Sequence, residues 1–358
     1  MKNTVVFTGG HHNSALVIAL ELKREGYQIA WIGHKFAAGG DKNVSAEYQE
    51  VIANQIPFYE LKTGKFYRQV NPLTHLKTFF GFLQAFSYLL RLRPKLIVSF
   101  GGYLAVPVVL AGWLLRIPSL THEQTVVAGW ANRAIAPFVD KIFLTHASSL
   151  SSYPKKKSLV VGLPLRPALF DPSLKKKFTP KLLYVSCGKQ GSHLINQTLF
   201  PIIPQLVKRF TIVHQTGAST INRDLDKARR LREPLGDLAG RYHYAPYFFA
   251  REAASYLQSA AVVVSRAGAH LTYELSLLQK RTVFIPISWV SHNEQLLNAV
   301  EAAKVAPAVI LAESELTPES LLAAIEKVEK MKPRVKVKAD PFAATNKILA
   351  VIHEYLQS

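Results

Sequence analysis

Cysteine occurs once, at Cys187, so the chain can form neither an intrachain disulfide nor a cysteine-based metal site. That scarcity suits a reducing compartment. Acid is also in short supply. Asp and Glu number 24 against 44 Lys and Arg, a formal net charge of +20. A surplus of that size calls for an anionic partner: nucleic acid, an anionic membrane surface or an anionic substrate. Charged residues are only 19% of the chain and hydrophobic residues 49%, which excludes an intrinsically disordered protein. There is no internal repeat of fixed period. Residues 96–115 carry no charge, but Gly101, Gly102 and Pro107 interrupt them, so they read as a strand, a glycine turn and a buried helix rather than a membrane span. The apolar run Val5-Val6-Phe7 is too short for a signal peptide. No nucleic-acid motif or aromatic-interleaved basic segment is present, so charge alone speaks for nucleic acid.

What is there is alternation. A chain of 358 residues suggests two domains. Short apolar runs at 4–7, 28–32, 95–100, 119–121 and 141–144 alternate with helical stretches at 15–25, 107–115 and 130–136. That pattern predicts a parallel sheet covered on both faces. Residues 151–180 differ. They hold Pro154, Pro164, Pro167, Pro172 and two lysine triplets, and read as the interdomain connection. Alternation then restarts, with strands at 182–186, 211–215, 261–265 and 282–285 and helices opening at His193, His270 and Glu294. Residues 341–356 form an amphipathic pattern that predicts a closing helix.

Several loops between a strand and a helix carry candidate chemistry. Thr8-Gly9-Gly10-His11 lets backbone N–H groups approach an anion at a helix N-terminus. It lacks the dinucleotide fingerprint and the Gly-Lys-Ser/Thr of a nucleotide-triphosphate loop. His11 reads either as a general base or as a cap of the helix. Gly101-Gly102-Tyr103 and His122-Glu123-Gln124-Thr125 follow further strands of the same half. In the second half, Cys187-Gly188-Lys189-Gln190-Gly191-Ser192 and Ser265-Arg266-Ala267-Gly268-Ala269-His270 each join a strand to a helix and read as a nucleotide diphosphate seat. Glu274, one turn on, reads as a ribose ligand or as an ordinary solvated helix residue. Asp224-Leu225-Asp226 lies in a helical run, where carboxylates two apart diverge, so no metal site is expected. Phe79, Phe80, Leu83, Phe86, Leu89 and Leu90 recur at helical spacing beside Lys77, Arg91, Arg93 and Lys95. They read as a core helix whose apolar surface is wide enough to meet a membrane.

These motifs, in order and over nearly the whole chain, resemble the MurG family of peptidoglycan glycosyltransferases. The match includes Thr8 to His11, Phe100 to Tyr103, His122 to Gln124, Ala131-Asn132-Arg133, Gln190-Gly191, His214 to Gly217, Ser265 to Ala269, Glu274, Gln295 and Asn298. The resemblance implies an α/β GT-B fold, two Rossmann-like parallel-sheet domains facing a central cleft. Residues 1–165 would bind the acceptor and associate with the membrane, 166–340 would bind UDP-GlcNAc, and 341–358 would pack back on the first domain. It implies an inverting, metal-independent transfer of N-acetylglucosamine from UDP-GlcNAc to the C4 hydroxyl of lipid I, giving lipid II, with no cofactor.

The resemblance places His11 first and Glu123 second as base. It places the acceptor diphosphate on Thr8, Gly9, Gly10, Asn13, Gly101, Gly102 and Tyr103, with His122, Gln124 and Asn132 nearby. It gives uracil to Phe249 and Ala250, the donor diphosphate to Gly268, Ala269, His270 and Leu271, ribose to Glu274, and the sugar to Gln295 and Asn298. Thr125, Arg166, Lys189 and Gln190 complete the donor set, and Arg266 is a further cation for the same anions. Thr125, Lys189, His270 and Glu294 stand where the family usually has other residues. The expected partners are UDP-GlcNAc, lipid I, the anionic cytoplasmic face of a bacterial inner membrane and other cell-wall synthesis proteins. Two readings compete: a GT-B transferase for another lipid acceptor or UDP-sugar, and a non-catalytic basic protein that binds membrane or nucleic acid.

Overall fold

A computed structural model describes residues 3–36, 44–64, 72–188, 191–217, 219, 221–288, 293–333 and 340–357. The chain divides into two compact units, one of residues 1–166 with 340–358 and one of residues 167–339. In the first, β1 (Thr4–Thr8), α1 (His12–Arg24), β2 (Gln28–Gly33), α2 (Ala46–Ala53), β3 (Phe58–Glu60), α3 (Pro72–Leu92), β4 (Leu96–Ser99), α4 (Ala105–Leu114), β5 (Ser119–Glu123), α5 (Trp130–Ile135), β6 (Lys141–Leu144) and β7 (Ser158–Val160) follow in order. The seven strands form one parallel sheet ordered β3-β2-β1-β4-β5-β6-β7.

Period-two alternation decides which face each residue serves. Val5 and Phe7 enter the core under α1, while Val6 between them enters the core under α3 and α4 with Ala85, Leu89, Val108 and Ala111. A strand buried on both faces therefore reads as a continuous apolar run. Residues 96–115 are β4, a glycine turn and α4. No helix among the described residues is long and apolar enough to cross a membrane.

The second unit repeats the design. It runs β8 (Leu182–Ser186), α6 (His193–Leu199), α7 (Ile203–Leu206), β9 (Thr211–Gln215), α8 (Asp224–Arg232), β10 (Tyr242–Ala245), α9 (Ala250–Ser259), β11 (Val262–Ser265), α10 (Ala269–Leu277), β12 (Thr282–Phe284), α11 (Glu294–Val305), β13 (Ala308–Ile310) and α12 (Pro318–Glu329). Its six strands are parallel in the order β10-β9-β8-β11-β12-β13. The last helix, α13 (Ala343–Gln357), returns to the first unit. There Ile348, Ile352 and Leu356 share a core with Ile18 and Leu22 of α1. His353 Nε2 lies 2.6 Å from Glu25 Oε2 at the helix edge.

One expectation fails here. Residues 151–180 are not one connection. Ser158–Val160 pairs with β6 and closes the first sheet as β7, and the units part at Arg166 and Pro167. Lysines beside the strand hid it, because an edge strand tolerates charge.

Candidate active site

In both sheets the strand order reverses beside the first strand, between β1 and β4 and between β8 and β11. Open parallel sheets bind ligands at such switch points, beyond the carboxyl ends of the strands. Four of the five loops singled out in the sequence follow these strands, and the fifth follows β5.

In the first unit the loops after β1 and β4 touch backbone to backbone. Gly10 N donates to Gly101 O at 2.9 Å. Gly9 has φ +126°, and a Cβ there would lie 2.7 Å from the Gly101 carbonyl oxygen. Gly9→Ala is thus expected to cost about 2 kcal/mol or more. Urea unfolding measures it, and an unchanged midpoint would contradict the packing. Gly10 is exposed, and His11, Asn13, Gly102 and Tyr103 are half-buried along the same rim, whereas Thr8 is buried. Burial, with Glu47 nearby, raises the Tyr103 phenol. His11 precedes α1 and makes no side-chain cap, so the capping alternative drops out.

The loop after β5 departs from expectation. Glu123 is 2% exposed and its carboxylate accepts five hydrogen bonds. Thr125 N and Oγ1 donate to Oε1 at 3.2 and 2.9 Å. Gly129 N, Asn132 Nδ2 and Tyr153 OH donate to Oε2 at 2.8, 3.1 and 2.6 Å. Burial alone would raise this carboxyl, but the bonds outweigh it and hold the group below the usual range. A base needs a lone pair within reach of substrate and a pKa near the working pH. Glu123 has neither, so its place is structural. Thr125 and Asn132 go with it. Val127 O also lies against Thr125 Oγ1, so the single hydroxyl proton is shared between that carbonyl and Glu123. Asn132 further donates to His122 O at 3.3 Å and accepts from Thr121 Oγ1 at 2.9 Å. All three side chains are buried, with their polar atoms engaged by the protein.

His122 is fully buried, stacked on Phe100, with Nε2 2.9 Å from Gly162 O. Burial pushes its pKa down to about 4, against a smaller opposing pull from that carbonyl and Glu123. It is neutral at pH 7. Gln124 is buried too, and its Nε2 has no hydrogen-bond partner among the described residues. Tyr153 was not foreseen, because its motif-free setting among prolines and lysines gave no signal.

In the second unit, α10 opens at Gly268 with no side-chain cap. The N–H groups of its first turn, Ala269 to Leu271, are therefore available to an anion. Glu274 is 1% exposed, so the solvated alternative drops out, and its Oε1 lies 3.2 Å from His270 Nδ1. Phe249 stands 57% exposed at the start of α9, edge-on to Tyr247, and Ala250 follows it. Gln215 joins two loops. It donates to Gly188 O at 2.8 Å and accepts from Phe248 N at 3.2 Å. Lys189 and Gln190 lie outside the described residues.

Three polar residues expected to face ligand are instead held by the protein. Arg266 Nη2 donates to Ser192 Oγ at 2.7 Å, and Nη1 to Ile285 O and Glu313 Oε1 at 3.0 and 2.8 Å. It ties together the loops after β8, β11 and β12. Gln295 Oε1 accepts from Ile287 N at 3.1 Å. Asn298 is buried and donates to Ala267 O at 3.2 Å. Arg166 ends the first unit, which also holds Thr125, whereas the other donor candidates belong to the second. Asp224 opens α8 and binds His193 Nδ1 and Asn196 Nδ2 at 2.9 and 2.8 Å, so it serves the loop scaffold. Among the described residues no cluster of His, Cys, Asp and Glu could hold a metal ion.

Comparisons with known proteins agree with this layout. The glycosyltransferase family 28 N-terminal domain matches residues 4–144, and the family 28 C-terminal domain matches residues 182–354. A UDP-N-acetylglucosamine--N-acetylmuramyl-(pentapeptide) pyrophosphoryl-undecaprenol N-acetylglucosamine transferase of Clostridium perfringens is 30% identical over 344 residues, covering 92% of this chain and 91% of that protein. The protein of the same description from Legionella pneumophila is 31% identical over 376 residues, covering 99% and 97%. The crystal structure of Acinetobacter baumannii MurG superposes with a TM-score of 0.66 at 22% identity, covering 98% of this chain and 99% of that one, which bears on the fold.

Proposed function

The chain belongs to glycosyltransferase family 28, and from that premise we propose that it transfers N-acetylglucosamine from UDP-GlcNAc to the C4 hydroxyl of the N-acetylmuramyl group of lipid I, giving lipid II. The observation that carries this reading is the near-full-length similarity to relatives described as that transferase, at about 30% identity. A pyrophosphoryl-undecaprenol acceptor and a UDP-sugar donor are both anionic, which suits the +20 balance. Titration with a panel of UDP-sugars tests the donor. UDP-GlcNAc should bind tightest, and preference for another UDP-sugar would favour the competing transferase reading.

In the proposed reaction the acceptor C4 oxygen attacks C1 of N-acetylglucosamine as the C1–O bond to UDP breaks, inverting that carbon. His11 takes the hydroxyl proton. The half-buried N-terminus of α10 stabilises the charge growing on the departing diphosphate. Phe249 offers its ring to uracil. Ribose hydroxyls replace the His270 imidazole on Glu274. Accordingly, Glu274→Ala should weaken UDP binding by about 1–3 kcal/mol, the range for hydrogen bonds to a charged group. Unchanged affinity by calorimetry would refute the assignment. The glycine rim at residues 9–11 and 101–103 receives the acceptor diphosphate, and the fixed loops set its position.

We also assign the membrane face to α3 and α4. Helix α3 buries Ala85 and Leu89 but leaves Phe79, Phe80, Leu83 and Leu90 about half exposed, and on α4 Trp113 and Leu114 are similarly open. Exposed Lys77, Arg91 and Arg93 lie on or beside α3. Apolar side chains beside cations suit the interface of an anionic bilayer, where a lipid-linked acceptor would be met. This supports peripheral attachment to the cytoplasmic side of the inner membrane.

A further inference from the structure

The lysine-rich segment before β8 has no part in the reaction above. Residues 172–182 contain four lysines and no acid. Lys175, Lys176, Lys177 and Lys181, with Phe178 and Ser259, line a groove of about 460 Å³. The segment is clamped to α9. Lys176 N donates to Ser259 Oγ at 2.8 Å, Ser255 Oγ to Leu174 O at 2.6 Å, and Gln258 Nε2 to Asp171 O at 2.9 Å. The lysines therefore stand on a fixed backbone, which lowers the entropy cost of gathering them around a ligand.

Compensating charge is thin. Lys181 pairs with Glu329, which also takes Arg209 Nη2 at 2.8 Å. Among the described residues no carboxylate pairs with Lys175, Lys176 or Lys177. Behind them Lys280 is held by the Gln258 and Ala260 carbonyls at 2.6 and 3.1 Å. Burial, then Lys175 and Arg281, pushes its pKa down to about 8. Cations this crowded repel one another unless an anion joins them.

The groove is also at the opposite edge of the sheet from the nucleotide loops. Leu182 opens β8, and Ser259 lies just before β11, so both are at the amino ends of their strands. The Gly188 and Gly268 loops are at the carboxyl ends, roughly 15 Å away along a five-residue strand. We propose that this lysine groove is a second anion site, which binds a phosphate-bearing ligand independently of the nucleotide loops. Its lysines, gathered on a fixed backbone, suit a diphosphate or a phosphodiester, and Phe178 gives one apolar wall.

The test uses the full chain with saturating UDP, which occupies the nucleotide loops. Pyrophosphate is titrated by calorimetry, and vesicles of phosphatidylglycerol with phosphatidylcholine are compared with phosphatidylcholine alone by sedimentation. The Lys176→Gln/Lys177→Gln variant is set against Lys155→Gln/Lys156→Gln, which removes the same charge elsewhere. The expected result is UDP-insensitive pyrophosphate binding that falls about tenfold or more in the first variant and not in the second. If the natural source is a lipid headgroup, phosphatidylglycerol sedimentation falls in the same variant and free pyrophosphate competes. If it is a free phosphate, the vesicle arm does not distinguish the variants while the calorimetric loss persists. No pyrophosphate binding in the presence of UDP, or equal losses in both variants, overturns the proposal. Thermal midpoints and UDP affinity check folding, and Lys177→Gln alone serves if the double variant is unstable.

Discussion

His11→Ala is expected to lower turnover by roughly 10²–10⁴-fold while UDP affinity holds, the usual contribution of a positioned general base. Geometry singles His11 out. Glu123 has its lone pairs filled by five internal donors, and His122 is sealed under Phe100 and Gly162. His11 alone of the three reaches the rim shared with Gly10, Asn13 and Gly102. A base acts in the transition state, so the loss should fall on kcat with donor KM little changed. Full turnover in the variant removes His11 from the mechanism. A loss confined to KM would make it an acceptor ligand instead.

Glu123→Ala should destabilise the first unit by about 3–5 kcal/mol, the range for breaking a buried charged network. It leaves the Gly129 N–H and the Tyr153 hydroxyl without their acceptor and the buried Asn132 amide with His122 O alone. Urea unfolding reads the loss, and a change below about 1 kcal/mol would show that the loop does not depend on the carboxylate. Acid should do part of the same work. Folding depresses the His122 pKa from 6.5 to about 4, so between those values the unfolded chain binds a proton that the folded chain does not. Stability therefore falls as pH drops through that window, by on the order of 3 kcal/mol at about 1.4 per pH unit. His214 in the second unit adds the same sign. It is buried between Tyr242 and Asn196, and burial lowers its pKa to about 3. The Glu123 contribution is held above the unfolded carboxyl pKa and is lost as pH falls through its depressed folded value. A denaturation midpoint that is flat from pH 7 to pH 4 would contradict both histidine contributions.

The strands missed in the sequence have one thing in common. β3, β7, β10 and β13 are the edges of the two sheets. Interior strands such as Val5-Val6-Phe7 and Val262-Val263-Val264 are buried on both faces and show as unbroken apolar runs. An edge strand is covered less and keeps polar residues, as in Tyr242-His243-Tyr244, so its pattern sinks into its surroundings. The ligand loops were legible for a different reason. Glycines after interior strands mark places where backbones approach, as at Gly9 against Gly101 and at Gly191, where a Cβ would strike the Thr216 carbonyl. What could not be read was direction. Thr125 and Arg266 lie in loops, Glu123 ends β5, and Asn132 and Asn298 lie near the starts of α5 and α11, where neither strand nor helix periodicity says which way a polar side chain turns. Each turns inward and holds a loop in place, with partners brought from distant sequence, such as Tyr153 for Glu123 and Glu313 for Arg266.

The most direct test of the central claim is to incubate the purified protein with UDP-GlcNAc and a lipid I analogue and to identify the product. The expected result is one UDP released for each N-acetylglucosamine joined to the N-acetylmuramyl C4 oxygen, with inverted configuration at C1. A folded protein that binds UDP-GlcNAc yet forms no disaccharide, or that transfers the sugar to a different position, would contradict it.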